Sequence, residues 1–388
     1  MRVYLDNNAT TKMDPRVLEA MMPFLTEEYG NAFSMHLFGK ETGAAVSEAR
    51  EKIASLLGVL PGEIIFTASG TESDNIAVRG VAKAYKNRGN HIITTQIEHP
   101  AIKNTFKDLE KDGYEISFIP VDSNGVVDLV ALEAAIRPET ILISVMHANN
   151  EVGTIEPIAQ IGNLAKKNKI VFHVDAVQTT GKIPFLPKEL GIDLLSFSGH
   201  KFYGPKGIGA LYVRSGVRLA KIITGGGQEK KLRPGTTNTP AIVGMAKALE
   251  IAYENMEEEG KREAELRDYF ENQLLERIPE IVVNARGVER LPGTSSITFK
   301  YLEGESILLS LSYLGIAVSS GSACSSDELQ ASHVLLAMGI PAEFAHGTIR
   351  FSLGRYNTKE EIDYTVEQVV KVVEKLRMLS PLWNEFRR

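Results

Sequence analysis

The sequence predicts an α/β protein in which a mostly parallel sheet lies between helices and a smaller α/β domain follows. Strand and helix signals alternate from about residue 60 to residue 213, which favours a parallel sheet covered on both faces. The composition then changes after residue 240, and 388 residues are too many for one hydrophobic core. We therefore expect a large domain over 15–258 and a small domain formed by 1–14 and 259–388.

Short apolar runs rich in β-branched residues predict the strands of the large sheet. They are 63–68, 91–97, 115–121, 141–147, 170–175, 194–198 and 208–213. Ser-Gly-Thr-Glu-Ser73 opens a helix after the first run, and Pro100 stands at a favourable first helical position after the second.

The later elements are of a different kind. Residues 240–278 are rich in Ala, Glu, Leu, Lys and Arg, which predicts long helices leaving the sheet domain. Short strands are then predicted at 295–299 and 348–352. Helices are predicted near 304–314, 331–339 and 358–379.

Charge and composition restrict the possible partners. The chain is 43% hydrophobic and 24% charged, as in ordinary globular enzymes, and its net charge of −6 gives no general attraction to nucleic acid or anionic membranes. The first residues lack the apolar region of a signal peptide, and no apolar run is long enough to cross a bilayer. We expect a cytoplasmic protein.

Cysteine and histidine usage narrows the chemistry. Cys324 is the single cysteine, which excludes an intrachain disulfide, a CxxC pair and a cysteine-cluster zinc site. The 8 histidines show no metal-ligand spacing, so no metal is expected.

Lys201, in Ser198-Gly-His-Lys201, is the most informative residue, together with Asp175 at the end of the run 170–175. Both follow predicted strands, so they are expected at neighbouring strand ends. This pair suits pyridoxal phosphate, because the lysine forms a Schiff base and the acid keeps the pyridine nitrogen protonated. Either residue alone is more often a surface lysine or a capping aspartate.

A phosphate cradle is predicted beside this pair. The turn that contains Gly70 and Thr71 joins a strand to a helix, where free N–H groups point at anions. Ser198 and His200 are further candidate phosphate ligands. Small polar residues also serve simply as helix caps, so the turn alone is weak evidence.

Three more polar side chains follow strands at the same sheet edge. His99 is placed to stack on a pyridine ring and to shuttle protons. Asn150 and Gln178 each offer an amide to the phenolic oxygen of the cofactor. The alternatives are a structural histidine and an Asx turn.

Two candidates lie in the C-terminal part. Cys324 stands in the Gly/Ser-rich stretch 319–326 rather than in apolar surroundings, which favours a reactive thiol. Arg350 and Arg355 include one candidate for a two-pronged contact with a substrate carboxylate, the alternative being a structural salt bridge.

Several motifs occur together in one order along the chain: Thr71-Glu-Ser73, Glu98-His-Pro100, Asn149-Asn-Glu-Val-Gly153, Asp175-x-x-Gln178, Ser198-Gly-His-Lys201 and Ser319-Ser-Gly-Ser-Ala-Cys324. With them the chain resembles the NifS/IscS-type cysteine desulfurases, of the class V aminotransferase group of fold-type I pyridoxal-phosphate enzymes. The resemblance runs from Tyr4 to Trp383. It departs from the common family pattern at 68–70, which read Ala-Ser-Gly, and at Pro234.

The resemblance implies roles around the cofactor. Lys201 would hold it and move protons, His99 would stack on its ring, and Asp175 and Gln178 would contact the pyridine nitrogen and the phenolate oxygen. The implied phosphate ligands are Gly70, Thr71, Ser198 and His200, joined by Thr236 from the other subunit of a homodimer.

The resemblance also implies the reaction. Asn150 and Arg350 would hold the carboxylate of L-cysteine, Cys324 would take its sulfur as a persulfide, and L-alanine would leave. The sulfur would pass to an iron–sulfur scaffold or another thio-cofactor pathway. The alternatives are a selenocysteine lyase, another β-eliminating enzyme and a non-catalytic assembly platform.

Overall fold

The computed structural model describes residues 1–320 and 331–386, and its largest element is a seven-stranded sheet. In chain order its strands are β2 (Ile64–Thr67), β3 (His91–Thr95), β4 (Glu115–Ile119), β5 (Thr140–Met146), β6 (Val171–Asp175), β7 (Leu194–Ser198) and β8 (Gly209–Val213), following a short β1 (Val3–Tyr4). Each strand of the sheet falls at a run that the sequence analysis predicts.

The order of the strands in the large sheet is β2-β8-β7-β6-β5-β3-β4. The neighbours from β7 to β4 run parallel, whereas β8 is antiparallel to both β7 and β2. Because β2 thereby runs in the same direction as β7, the carboxyl ends of β2, β3, β5, β6 and β7 all meet at one edge of the sheet.

Helices cover both faces of this sheet and form much of the rest of the chain. They are α1 (Pro15–Thr26), α2 (Leu37–Leu56), α3 (Gly70–Tyr85), α4 (Pro100–Lys111), α5 (Leu129–Ala135), α6 (Ile158–Asn168), α7 (Thr239–Arg277), α8 (Gly304–Tyr313), α9 (His333–Ala337), α10 (Ala342–Ala345), α11 (Lys359–Leu379) and α12 (Pro381–Phe386). The sequence predicts several helices over 240–278, but α7 is a single helix of 39 residues. The predicted domain boundary at 258–259 falls inside α7, and the division into two domains stays a prediction.

The C-terminal part has two smaller sheets. An antiparallel sheet has the order β12-β13-β10-β9 and a parallel pair joins β1 to β11. The new strands are β9 (Ile281–Val283), β10 (Thr294–Phe299), β11 (Ile316–Ala317), β12 (Ser319–Ser320) and β13 (Thr348–Ser352). The N-terminus therefore lies against residues more than 300 positions away in the chain.

Separate apolar cores underlie these sheets. One packs α2, α6 and α7 on one face of the large sheet, and a second packs α3 and α4 on the other. A third joins β10 and β13 to α11. Among the described residues, no helix is long and apolar enough to cross a membrane.

Candidate active site

The parallel strands deliver polar side chains to one edge of the large sheet. Asp175 is the last residue of β6, and its register partner on β7 is Ser196. The chain leaves β7 at Ser198 and turns at once through Gly199–Lys201. Asp175 and Lys201 thus follow adjacent strands, which is the arrangement that the sequence predicts.

A cavity of about 450 Å³ opens at this edge. Most of the residues named in the sequence analysis line it: Gly70, Thr71, His99, Asn150, Asp175, Gln178, Ser198, His200, Lys201 and Arg350. Within the described residues no cluster of three or more histidine, cysteine, aspartate or glutamate side chains is arranged to hold a metal ion.

Asp175 has a buried carboxylate that lines this cavity. Burial raises its pKa to about 6, while the backbone N–H of Val177 and the charge of Lys201 act in the opposite direction. The Val177 N–H donates to Asp175 Oδ1 at 2.9 Å. A cationic ring nitrogen in the cavity would further favour the ionised carboxylate.

Asp74 on α3 is a second buried carboxyl at the cavity. Burial and the charge of Asp175 hold the pKa of Asp74 well above its usual range. Its Oδ1 has no hydrogen-bond partner among the described residues and lies 3.6 Å from Nε2 of His173. Because two adjacent carboxyls cannot both ionise cheaply, the negative charge belongs on Asp175.

Lys201 points its amine back towards the N-terminal segment. Its Nζ donates to the carbonyl oxygens of Asn8 at 2.5 Å and Ala9 at 2.9 Å. The lysine is partly exposed in the cavity, so its amine is accessible to a carbonyl compound that enters there.

His99 is the N-terminal cap of α4. Its Nδ1 accepts a hydrogen bond from the backbone N–H of Ala101 at 3.1 Å. Burial and the neighbouring Lys201 lower its pKa to about 4, so the ring is neutral at pH 7. With Nδ1 as acceptor, the proton of the neutral ring is on Nε2.

The turn between β2 and α3 forms the predicted anion site. Ser69 caps the helix by accepting from the N–H of Glu72 at 3.1 Å. A Cβ at Gly70 would lie only 2.6 Å from Cγ2 of Val177, so the close approach of this turn to the end of β6 requires glycine. His200, which also lines the cavity, pairs through Nδ1 with the Thr10 hydroxyl at 3.1 Å.

Arg350 reaches the cavity from β13 of the small antiparallel sheet. Its guanidinium pairs with Asp6 at 2.8 Å and donates to the Asn150 carbonyl at 2.9 Å. Its buried Nε has no partner among the described residues. Arg355, the other candidate, does not line the cavity and pairs with Asp14 and Glu259.

Two predicted site residues are not among the described residues that line this cavity. Thr236 lines a separate cavity of about 260 Å³, together with Thr67 and Arg233. Cys324 lies outside the described residues. Ser319, five positions earlier in the sequence, lines the main cavity.

The sequence analysis misses the N-terminal contribution to the site. Asp6, Asn8 and Ala9 all line the cavity. Asn8 is the most connected of them: its side-chain amide donates to Thr294 at 2.9 Å and to the Asn150 carbonyl at 3.2 Å. The signal for this contribution in the sequence is the polar run Asp6-Asn-Asn-Ala-Thr10, near the start of the family resemblance.

The sequence model of the family described as Aminotransferase class-V matches residues 3–365. A Dictyoglomus turgidum protein named cysteine desulfurase IscS is 52% identical over 385 residues, covering 99% of this chain and 98% of that relative. A Nostoc protein named cysteine desulfurase is 52% identical over 383 residues, covering 99% and 96% of the two chains.

Solved structures agree with these relatives. A NifS-like protein superposes with a TM-score of 0.92 at 45% identity, covering 97% of this chain and 100% of that one. SspA in complex with cysteine superposes with a TM-score of 0.82 at 37% identity, covering 92% and 100% of the two chains.

Proposed function

This chain belongs to the class-V aminotransferase family and, within it, to the cysteine desulfurases, and from this premise we propose how its residues act. We propose that the protein holds pyridoxal 5′-phosphate and removes sulfur from L-cysteine. L-alanine is released, and Cys324 keeps the sulfur as a persulfide. The observation that carries the proposal is the buried Asp175 carboxylate beside Lys201 in one cavity.

The donor set of the cavity fits this cofactor. A buried carboxylate at Asp175 suits a protonated pyridine nitrogen, and Lys201 supplies the amine for covalent attachment. The start of α3 at Gly70 and Thr71 suits the phosphate, because free N–H groups of a first helical turn bind anions. When bound, the cofactor supplies an electron sink for negative charge at the substrate Cα.

The residues of the chain then have separate tasks. Lys201 would take and return the proton at the substrate Cα. His99, neutral with its proton on Nε2, would stack on the ring and would supply that proton to the three-carbon fragment. Asn150 and Arg350, which both line the cavity, orient the substrate carboxylate.

Cys324 is the proposed sulfur acceptor. Its thiolate attacks the substrate sulfur, the Cβ–S bond breaks, and its electron pair stays with the three-carbon fragment, which becomes alanine after protonation. The related SspA, solved in complex with cysteine, supports cysteine as the substrate. No second cysteine is present to resolve the persulfide, so the sulfur passes to an acceptor protein such as an iron–sulfur scaffold.

A homodimer is the proposed assembly. Several large apolar side chains near the N-terminus are exposed: Leu25 (53%), Tyr29 (72%), Phe33 (59%), Met35 (90%) and Leu37 (68%). Such a patch favours burial against a second copy. Thr236, in a separate cavity of its own chain, is then available to bind phosphate in the partner's site. A solution mass equal to one chain would contradict this assembly.

Cys324→Ala tests the whole proposal. The variant is expected to retain the cofactor, because the cavity residues are unchanged, but alanine formation from cysteine falls to near background. Brief exposure of the wild type to cysteine adds one sulfur to Cys324, which peptide mass spectrometry detects. Ser325→Ala, one position away, is the matched control and keeps activity. Desulfuration at the wild-type rate by Cys324→Ala would instead favour the β-eliminating alternative.

A further inference from the structure

A second lysine lies behind the wall of the active-site cavity. Lys182 Nζ donates to Gln178 Oε1 at 3.3 Å and to Asn8 Oδ1 at 3.4 Å. It does not itself line the cavity, although both of its acceptors do. None of the roles proposed above uses this lysine.

The contacts of Lys182 determine which way the Gln178 amide faces. An ammonium only donates hydrogen bonds, so it requires the oxygen of the amide on its side. On the other side, Gln178 Nε2 donates to the Asn8 carbonyl at 3.0 Å, and a carbonyl oxygen only accepts. If the Gln178 amide were flipped, its oxygen would face the Asn8 carbonyl oxygen and its NH₂ group would face the Lys182 ammonium. Lys182 and Asn8 therefore keep the nitrogen of Gln178 available as a donor.

The same Asn8 carbonyl also accepts from Lys201 Nζ at 2.5 Å. Lys182, Gln178, Asn8 and Lys201 thus form one connected polar network from the interior to the reacting amine. A change at its inner end alters the donors that face the cavity without touching the substrate.

The charge of Lys182 is balanced only in part, by Glu263, because burial raises the pKa of that acid to about 7. Burial lowers the pKa of Lys182 to about 8, while Glu263 acts to raise it and Arg350 lowers it. Glu263 is a buried residue of α7. Both side chains line a small internal cavity of about 20 Å³, which is room for roughly one water molecule between them. The lysine is therefore mostly protonated at pH 7.

We infer that Lys182 is a positioning residue for the desulfurase reaction: it orients the Gln178 amide as a donor and supplies a positive charge behind the cofactor site. The inference rests on the proposed function, because the group that Gln178 would contact is the phenolate oxygen of pyridoxal phosphate. Lys182 touches neither substrate nor cofactor and acts through Gln178 and Asn8.

A merely structural lysine would affect stability alone, whereas this role changes the titration of the cofactor. The visible absorption band of the cofactor-loaded enzyme changes with pH, because a group of the bound cofactor close to the phenolate oxygen takes up a proton and becomes positively charged. Removing the nearby positive charge of Lys182 and the donor at Gln178 favours the protonated form. The pH midpoint of the visible band therefore moves upward.

Lys182→Met is the first test, with reconstituted enzyme. We expect cofactor to be retained, the midpoint of the visible band to rise by about half a unit or more, and kcat to fall roughly tenfold, less than the loss of a direct oxyanion donor. Lys182→Arg keeps the positive charge and the hydrogen-bond donors, and the adjacent small cavity has room for the larger guanidinium. We therefore expect its pH midpoint to lie close to the wild-type value. Lys188→Met, an exposed lysine on the same connection between β6 and β7, is the control and keeps both values.

Two further measurements keep the outcome decisive. Thermal unfolding of the cofactor-free variants identifies any that do not fold, and Lys182→Gln, neutral and polar, then replaces Lys182→Met with the same expected shift. Folded Lys182 variants with the wild-type midpoint and kcat would overturn the inference. Wild-type protein that binds no cofactor and forms no alanine would instead overturn the proposed function, so the two failures are distinguishable.

Discussion

Arg350 combines structural contacts with the proposed substrate contact in one guanidinium. It holds Asp6 and the Asn150 carbonyl through two of its nitrogens and keeps Nε unpartnered among the described residues. Those first two contacts fix the plane of the guanidinium. The side chain is therefore preorganised for a carboxylate before the substrate arrives.

Arg350→Lys is expected to raise the KM for cysteine by about tenfold or more. A point-like ammonium can keep the Asp6 pair but cannot also hold the Asn150 carbonyl and present a donor to a carboxylate. Steady-state alanine formation measures the change. Arg355→Lys, outside the cavity, is the matched control; if it raises KM and Arg350→Lys does not, the carboxylate site lies elsewhere.

A site residue that directly follows a strand can be predicted from the sequence pattern. A site residue that is placed by contacts with distant parts of the chain is harder to predict. Asp175, Lys201 and His99 were predictable because an apolar run precedes each of them. Asn8 and Asp6 were not, because their place depends on pairing with residues such as Ser352, 344 positions from Asn8. The role of Lys182 was not predictable either, because only its contacts with Gln178 and Asn8 show that it lies next to the site.

At the scale of elements, the approach of α3 to the end of β6 shapes the anion site. Gly70 is the first residue of α3, and the stiff side chain of Val177 follows β6. Two strands separate β6 from β2, the strand that precedes α3, and α3 crosses the face of the sheet to reach β6.

Gly70→Ala is expected to weaken cofactor binding about tenfold, because the added methyl would lie 2.6 Å from Val177 Cγ2 and must displace the first turn of α3. Cofactor release on dilution measures the affinity. In the Val177→Ala background the obstructing methyl is absent, so adding Gly70→Ala there has little further effect. An equal loss in both backgrounds would mean that the space beside Val177 is irrelevant.

The strands were predicted well at this scale, because buried parallel strands consist of continuous apolar runs. The length of α7 was not predicted. Residues 239–277 are rich in strong helix formers, and Gly260, close to the place where the surrounding fold changes, does not end the helix. The passage of α7 from one apolar core to the next therefore shows only in three dimensions.

At the scale of the whole molecule, buried ionisable groups give folding a distinct pH dependence. Burial raises the pKa of Glu98 and Glu156 to about 8 and that of Glu151 to about 7. The folded state then binds protons that the unfolded chain has released, so stability falls as pH rises towards 8. Buried histidines, such as His147 with a pKa of about 4, act oppositely, but only below pH 6.5. Above that pH the acids dominate.

Glu156→Gln is expected to flatten this fall between pH 6.5 and 8. One proton fewer is taken up on folding, which corresponds to about 1 kcal/mol of unfolding free energy per pH unit. Denaturant unfolding of the cofactor-free protein at several pH values measures the slope. Glu139→Gln, on the surface, leaves the slope unchanged. A Glu156→Gln slope equal to that of the wild type would mean that Glu156 is ionised in the folded state.

The pairing of the N-terminus with the C-terminal part has a consequence for synthesis in the cell. Residues 1–9 leave the ribosome well before their partners, since Val3 pairs with Ile316 and Asn8 bonds to Ser352. At ordinary translation rates of about 5–20 residues per second, the first residues wait roughly 17–70 s for their partners. Until then the nascent chain has no complete wall around Lys201, so cofactor capture follows translation instead of guiding it.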